Sequence, residues 1–189
     1  MNKDEPVKAR RGVLRYAAAG SIGLLLPHQA AAAVPALGGT NGPSSLAIDL
    51  VRPVTGERCN VVLVDQGRVV LESYQQACRL LRDVEEDVTM PISVSVLGIL
   101  AYAQLWFAIN GQHRVIEVTS GARTRHTNDA TPGAAAESFH TKGRAIDWRM
   151  PGVPNDYLGR LAQKLGAGGI GLYESFIHVD DGPYRQWTT

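Results

Sequence analysis

Residues 138–147, SFHTKGRAID, contain the pattern from which the rest of the chain is interpreted. In this stretch an imidazole, His140, precedes a carboxylate, Asp147, by seven residues, and Gly143 lies between them. Glycine permits a tight turn or a close backbone approach at that point. Residues 145–149 have the composition of a strand, so we expect Asp147 to lie on a strand that begins directly after the turn.

A second imidazole occurs near the C-terminus, in the segment 177–180, IHVD. Residues two apart on a strand share a face, so His178 and Asp180 are predicted to point the same way. Two histidines and one carboxylate are the ligands of a catalytic zinc site, whose fourth position stays open for water. By spacing alone the pattern is weak, because isolated histidines are more often surface or hydrogen-bonded residues than ligands.

The composition is that of one ordinary globular domain. The chain has 189 residues, 44% of them hydrophobic and 20% charged, with a net charge of +1. These values exclude a fully disordered chain, and they lack the basic excess of a nucleic-acid-binding protein. The two cysteines, Cys59 and Cys78, are too few for a disulfide-stapled miniprotein or a four-thiolate zinc site. The sequence leaves open whether they form a bridge or stay as two buried thiols.

Residues 1–33 have the layout of a secretory signal: charges up to Arg15, an apolar stretch over 16–26, and then an alanine-rich run. The apolar stretch is about half of the roughly 20 residues that a membrane-spanning helix needs, so we expect no membrane span. Arg10-Arg11 resembles a twin-arginine signal, with an ordinary Sec signal as the alternative. Export predicts a periplasmic protein. The signal carries a net +3, which leaves −2 on the remaining 156 residues.

Glycine, proline and serine make residues 34–45 a flexible lead-in, and 46–189 are predicted to form a single domain. The predicted elements are a hairpin at 60–72, helices at 74–82, 93–110 and 155–165, strands at 115–119, 145–149, 168–173 and 176–179, and a long loop at 120–139. Strands and helices that do not alternate strictly indicate an α+β domain. Long irregular loops are often functional.

The residues around the two histidines also resemble a known family. Ser138-x-His140-x-x-Gly143-x-Ala145-x-Asp147, followed by 178–180, HVD, resembles the signature of the zinc D-Ala-D-Ala carboxypeptidase and murein endopeptidase superfamily. The closer likeness is to a branch of exported, murein endopeptidase K-type proteins. Further blocks occur in the same order: TGE at 55–57, LRD at 81–83, TSGAR at 119–123, TN at 127–128, GGIG at 168–171, and R-x-W at 185–187.

The resemblance implies a small antiparallel sheet flanked by helices, the α+β fold shared with the hedgehog signalling domain. It implies zinc as the metal, with His140, Asp147 and His178 as its ligands. It implies that Arg123 contacts the substrate or the developing oxyanion, and that Ser138 orients the loop or the substrate. Ala122 replaces the tyrosine usual in the family.

The general base is the point at which the sequence departs from its relatives. Many of them carry Glu or His two or three residues before the last ligand, where this chain has Ser175 and Phe176. The remaining nearby carboxylates are Asp180 and Glu174. The strand period favours Asp180 as the base, and the alternative is that Asp180 orients His178.

The resemblance implies a periplasmic zinc metallopeptidase that hydrolyses peptide cross-links of peptidoglycan during wall growth or remodelling. The expected bonds are the diaminopimelate–diaminopimelate and D-alanine–diaminopimelate links, and the expected partners are the peptide stems, bound by a monomer. The alternatives are a non-catalytic peptidoglycan-binding module of the same fold and a D-Ala-D-Ala carboxypeptidase.

Overall fold

The computed structural model describes residues 43–189, so the predicted signal peptide and most of the lead-in lie outside the described residues. The strands are β1 (Ser45–Arg52), β2 (Glu57–Asp65), β3 (Arg68–Val69), β4 (Ile116–Ser120), β5 (Ala145–Arg149), β6 (Gly169–Leu172), β7 (Ile177–Asp180) and β8 (Arg185–Thr188). The helices are α1 (Leu71–Leu80), α2 (Val94–Ile109), α3 (Arg125–Ala130) and α4 (Asn155–Lys164), with a 3-10 helix at Phe139–Lys142. This mixture confirms the α+β class.

All eight strands belong to one sheet, in the order β3-β2-β1-β4-β5-β7-β6-β8. Neighbouring strands are antiparallel except at two places, where β1 pairs with β4 and β6 pairs with β8 in parallel. The sheet is therefore mixed, although most of its pairings are antiparallel as expected. The strands that carry Asp147 and His178, β5 and β7, are direct neighbours near its centre.

Helix α1 packs against β1 and β2, α2 against β1, and α4 against β6 and β7, whereas α3 contacts the 3-10 helix. Helix α2 begins where the Ser93 hydroxyl accepts a hydrogen bond from the Val96 amide, which is an N-cap as predicted. Apolar residues occur on all sides of α2, and much of the helix is therefore buried, including Leu97 and Leu100 at 0% exposure. None of the helices in residues 43–189 is long and apolar enough to cross a membrane.

The structure differs from the predicted elements at several points. Strands β1 and β8 were not predicted, helix α3 lies within the segment 120–139 expected to be a loop, and the 3-10 helix begins at the last residue of that segment. Helix α3 has only six residues, but it carries a start signal, because the Thr124 hydroxyl accepts from the Thr127 amide. Strand β8 has only four residues and pairs in parallel with β6 rather than with β7, the strand before it in the chain, so no local pattern marks it.

The two cysteines, Cys59 and Cys78, are free and buried in the structure. Burial raises the pKa of both thiols. The bridge that the sequence left open is not formed.

Candidate metal centre

Strands β5 and β7 bring a carboxylate and an imidazole to the same point of the sheet. Asp147 is paired directly with His178 in their antiparallel register. Their chain neighbours Trp148, Ile177 and Val179 are fully buried in the apolar core. Because successive side chains on a strand point to opposite faces, Asp147 and His178 project from the face away from that core.

His140 reaches the same point from the 3-10 helix. The Ser138 hydroxyl caps this helix by accepting from the His140 amide at 3.3 Å. Gly143 ends it in the left-handed conformation, with φ of 63°. A Cβ at Gly143 would lie 2.1 Å from the Pro91 carbonyl oxygen, so any other residue would clash with backbone there. The tight turn and close approach predicted for Gly143 are both present.

Three atoms converge where these side chains meet. His140 Nε2 lies 3.1 Å from Asp147 Oδ1 and 3.2 Å from His178 Nδ1, and His178 Nδ1 lies 2.8 Å from Asp147 Oδ1. The three residues are buried, with exposures of 2%, 5% and 8% for His140, Asp147 and His178. Ligand atoms about 2.0–2.1 Å from a tetrahedral zinc ion are about 3.3 Å apart, close to the spacing found here.

Hydrogen bonds on the far sides of the two rings decide which nitrogens face this point. His140 Nδ1 lies 2.6 Å from the Gly121 carbonyl oxygen, which only accepts, so Nδ1 carries the proton and Nε2 keeps a lone pair. His178 Nε2 lies 3.0 Å from Asp180 Oδ2, which in the same way leaves the lone pair on Nδ1. Two lone pairs and a carboxylate oxygen therefore point at one another, an arrangement that a cation at their centre would satisfy.

The pKa shifts of Asp147 and His178 also indicate that positive charge is favoured at this point. Burial alone would raise the pKa of Asp147, but the adjacent imidazoles of His140 and His178 hold it below its ordinary value. Burial alone would lower the pKa of His178, but its hydrogen bonds with Asp147 and Asp180 raise it. The residues present thus fit a bound metal ion, and His140, Asp147 and His178 form a group able to hold one.

Arg123 lies beside the second oxygen of Asp147. Its Nη2 donates to Asp147 Oδ2 at 2.8 Å, and its Nε donates to the Ser120 hydroxyl at 2.9 Å. The side chain is 14% exposed and lines the cleft in front of the cluster. The guanidinium is therefore held in place at the edge of the site.

The segment that carries Arg123 is attached to the end of α1. The Ala122 amide donates to the Leu81 carbonyl oxygen at 2.7 Å, and the Thr124 amide donates to Asp83 Oδ2 at 2.7 Å. The LRD block at 81–83 thus supports the segment that carries Arg123, through the Leu81 carbonyl and the Asp83 carboxylate, and none of its residues lines the cleft.

Asp180 is fully buried, and both of its oxygens are occupied. Oδ1 accepts from the amides of Gly169 at 3.0 Å and Gly182 at 2.8 Å. Oδ2 accepts from His178 and, at 2.6 Å, from Arg185 Nη2. Burial alone would raise the pKa of Asp180, but the hydrogen bonds from His178 and Arg185 lower it. Glu174, the other predicted candidate for the base, is exposed and is not among the residues that line the cleft.

The cleft itself has a volume of about 770 Å³ and is open to solvent. One side is aromatic, with Tyr173 and Phe176 stacked at 4.4 Å and the Trp187 ring 5.3 Å from the His178 ring. Glu137 also lines it and forms ion pairs with Arg125 and Lys142. The sequence pattern did not mark Glu137 or Tyr173, although Glu137 directly precedes the motif at 138–147 and Tyr173 directly precedes Glu174.

Comparison with known proteins places these features in one family. The profile of the family Peptidase_M15_2, described as "Peptidoglycan L,D-endopeptidase MepK", matches residues 40–187. The chain is 27% identical over 159 residues to the peptidoglycan L,D-endopeptidase MepK of Escherichia coli K12, covering 81% of this chain and 86% of that protein, and the figures for Shigella flexneri are the same. It is 45% identical over 78 residues to a probable MepK of Haemophilus influenzae, covering 38% of this chain and 42% of that protein. No solved structure matches the chain.

Proposed function

This chain belongs to the peptidoglycan L,D-endopeptidase MepK family, and on that basis we propose that it is a zinc-dependent endopeptidase that cuts peptide cross-links of peptidoglycan in the bacterial periplasm. The observation that carries the proposal is the convergence of two imidazole lone pairs and one carboxylate oxygen at the base of an open cleft. The predicted signal at residues 1–33 supports the periplasmic location.

His140, Asp147 and His178 would hold the ion, and all three residues line the cleft. When bound there, zinc polarises the scissile carbonyl and lowers the pKa of a water molecule towards neutrality. The chain prepares this site through the backbone carbonyl of Gly121 and the carboxylate of Asp180, each of which holds one imidazole in the required tautomer.

Arg123 has two roles in the proposal. Its bond to Asp147 Oδ2 leaves Oδ1 directed at the cluster. Its fixed positive charge at the edge of the cleft stabilises the negative charge that develops on the carbonyl oxygen of the substrate. Ser138 acts indirectly, because it caps the short helix that positions His140.

The attacking water needs an acceptor for its proton. Because Asp180 is fully buried and is not among the residues that line the cleft, we assign Asp180 the positioning role that the sequence left as its alternative. Glu137 is the acceptor we propose, since it and Asp147 are the carboxylates among the residues that line the cleft. Glu137 is ionised at neutral pH, with a pKa that hydrogen bonds from Arg125 and Lys142 lower, and it directly precedes Ser138 in the cleft lining.

The substrates we propose are cross-linked peptide stems, joined by diaminopimelate–diaminopimelate or D-alanine–diaminopimelate bonds. The test is digestion of defined muropeptide dimers of both types by the exported, processed and zinc-loaded protein, with products identified by mass spectrometry. Dimers should be converted to monomers, a chelator should abolish the reaction, and added zinc should restore it. Cleavage that resists the chelator, or no cleavage by zinc-loaded protein, would contradict the proposal. Release of free D-alanine alone would instead indicate a carboxypeptidase.

One observation favours a second candidate, a non-catalytic peptidoglycan-binding module. Of the two carboxylates that the sequence suggested as the base, Asp180 is fully engaged and Glu174 lies outside the cleft lining. A wild-type protein that sediments with purified sacculi but releases no peptide from them would establish this function in place of the enzymatic one.

A further inference from the structure

We propose that β8 is a positioning strand for the metal centre, and that Arg185 and Trp187 hold His178 in the orientation and tautomer that direct its Nδ1 at the ion. The inference rests on the proposed function and deepens it, since it assigns a role to the C-terminal R-x-W segment in metal binding.

The register of three neighbouring strands is the first observation. In the order β7-β6-β8, one row across the sheet is Asp180, Gly169 and Arg185. The next row on the same face, two residues along, is His178, Gly171 and Trp187. The outer strands are about 9.5 Å apart, two strand spacings. A side chain on the middle strand would separate them, but both middle positions are glycine.

The first row is filled by an ion pair. Arg185 donates from Nη1 to Asp180 Oδ1 at 3.1 Å and from Nη2 to Oδ2 at 2.6 Å. This forked, charge-assisted pairing fixes the carboxylate plane as well as its position. A Cβ at Gly169 would lie 2.2 Å from Asp180 Oδ2 and 2.7 Å from Arg185 Nη1, so the pair occupies the space that a side chain at 169 would need.

Two aromatic rings hold the guanidinium of Arg185 in turn. Its Cζ lies 4.9 Å from the centre of the Phe139 ring and 5.4 Å from that of Trp187. Both distances are within the range of cation–π attraction. Phe139 directly precedes the ligand His140, so this contact joins the two parts of the metal centre.

The second row is filled by packing. The Trp187 indole lies beside the His178 imidazole, with ring centres 5.3 Å apart. A Cβ at Gly171 would be 2.7 Å from the indole ring, so Trp187 also uses the space above a glycine. His178 is thus held from two sides. Asp180 accepts a hydrogen bond from its Nε2, and Trp187 limits the rotation of its ring.

The test is to substitute a residue of β8 and to measure the zinc affinity of the variant in the absence of substrate. Arg185→Gln in the full chain should weaken zinc binding by about 10- to 100-fold, the range typical for residues that orient metal ligands. The dissociation constant is measured by competition with a chromophoric chelator. The matched control is Arg58→Gln, because Arg58 forms a similar fork with Asp49, at 3.0 and 2.6 Å, on a strand that does not contribute to the metal centre. The control should bind zinc as the wild type does.

Two further measurements separate positioning from general stability. Arg185→Lys keeps the charge but loses the fork, so its zinc affinity should lie between those of the wild type and Arg185→Gln. In NMR spectra of the zinc-loaded protein, the proton on His178 Nε2 should exchange with water faster in Arg185→Gln than in the wild type or in Arg58→Gln.

A folded Arg185→Gln whose zinc dissociation constant is within twofold of the wild-type value would overturn the inference. Should Arg185→Gln fail to fold, an unchanged dissociation constant for Arg185→Lys would overturn it instead. These outcomes are independent of catalysis. A wild type that binds zinc and loses affinity in Arg185→Gln, yet cuts no muropeptide, contradicts the proposed function alone. A wild type that cuts normally, with Arg185→Gln unchanged in zinc binding, contradicts only the positioning role.

Discussion

His178 donates from Nε2 to Asp180 Oδ2 at 3.0 Å, two residues further along the same strand. The bond determines which ring nitrogen faces the other ligands, because an imidazole with one proton has only one lone-pair nitrogen. The carboxylate that the sequence offered as a general base is therefore the group that orients the His178 imidazole.

Substitution of Asp180 separates these two roles. We expect Asp180→Asn to weaken zinc binding by at least tenfold and to lower turnover with it, because the amide no longer secures the His178 tautomer. Zinc titration and muropeptide cleavage of the same preparation measure both quantities, with Asp49→Asn as the control. A zinc affinity equal to that of the wild type, together with lost turnover, would indicate that Asp180 is the general base.

The ligand set is tested by metal content. His140→Ala removes one of three ligands, and we expect purified protein to retain much less than one zinc ion per chain after dialysis, since affinity depends on ligand number and geometry. Atomic absorption measures the ratio, and His113→Ala, which changes an exposed histidine outside the cluster, serves as the control. A stoichiometric ion in His140→Ala would show that the ligand set is wrong.

Zinc affinity should depend on pH through His178. Its pKa is raised in the metal-free protein, and the proton must leave before the metal binds. The affinity should therefore fall about tenfold per pH unit as the pH drops below that raised pKa, and level off above it. The stability of the metal-free fold should show the opposite trend. A raised pKa of His178 stabilises the fold at pH values below the ordinary pKa of histidine, and this stabilisation is lost as the pH rises through the raised pKa. Calorimetric zinc titrations and urea unfolding across the pH range measure the two trends, and an affinity independent of pH would contradict the assignment.

Glycine at position 169 is expected to be essential for the metal centre. Gly169→Ala would place a Cβ 2.2 Å from Oδ2 of the fully buried Asp180 and 2.7 Å from Arg185 Nη1, so the ion pair would have to shift. We expect weaker zinc binding and a lower free energy of unfolding, by about 1–3 kcal/mol for overpacking. The control is Gly98→Ala, since a Cβ in that part of α2 meets no atom within 4 Å. Equal effects of the two alanines would show that the space at 169 is not used as described.

Substitutions of two glutamates, one in the cleft lining and one outside it, test which residue is the proton acceptor. Glu137→Gln should lower turnover by about 10²-fold or more without changing zinc affinity, as the loss of a general base does. Glu174→Gln should keep turnover close to that of the wild type, because Glu174 does not line the cleft. The rate of muropeptide cleavage decides between them, and full activity in Glu137→Gln would exclude it as the acceptor.

Local sequence patterns predicted the elements that depend on local causes. The α2 N-cap at Ser93, the strand at 145–149 and the turn at Gly143 all occur where expected, because capping, alternation and left-handed glycine act within a few residues. Strand β8 was missed, because its four residues are held by backbone pairing with β6 and carry no period of their own.

The sequence by itself determined the α+β class, the family and the three residues able to hold a metal, since each is expressed in composition, motif or residue type. Only the tertiary structure brought Asp180, Arg185 and Trp187 together around His178. Their contacts depend on the strand register across β7, β6 and β8, which brings residues together across glycines of a middle strand. Register is a property of paired strands, so the residues that meet across three strands cannot be identified from the pattern of any one strand.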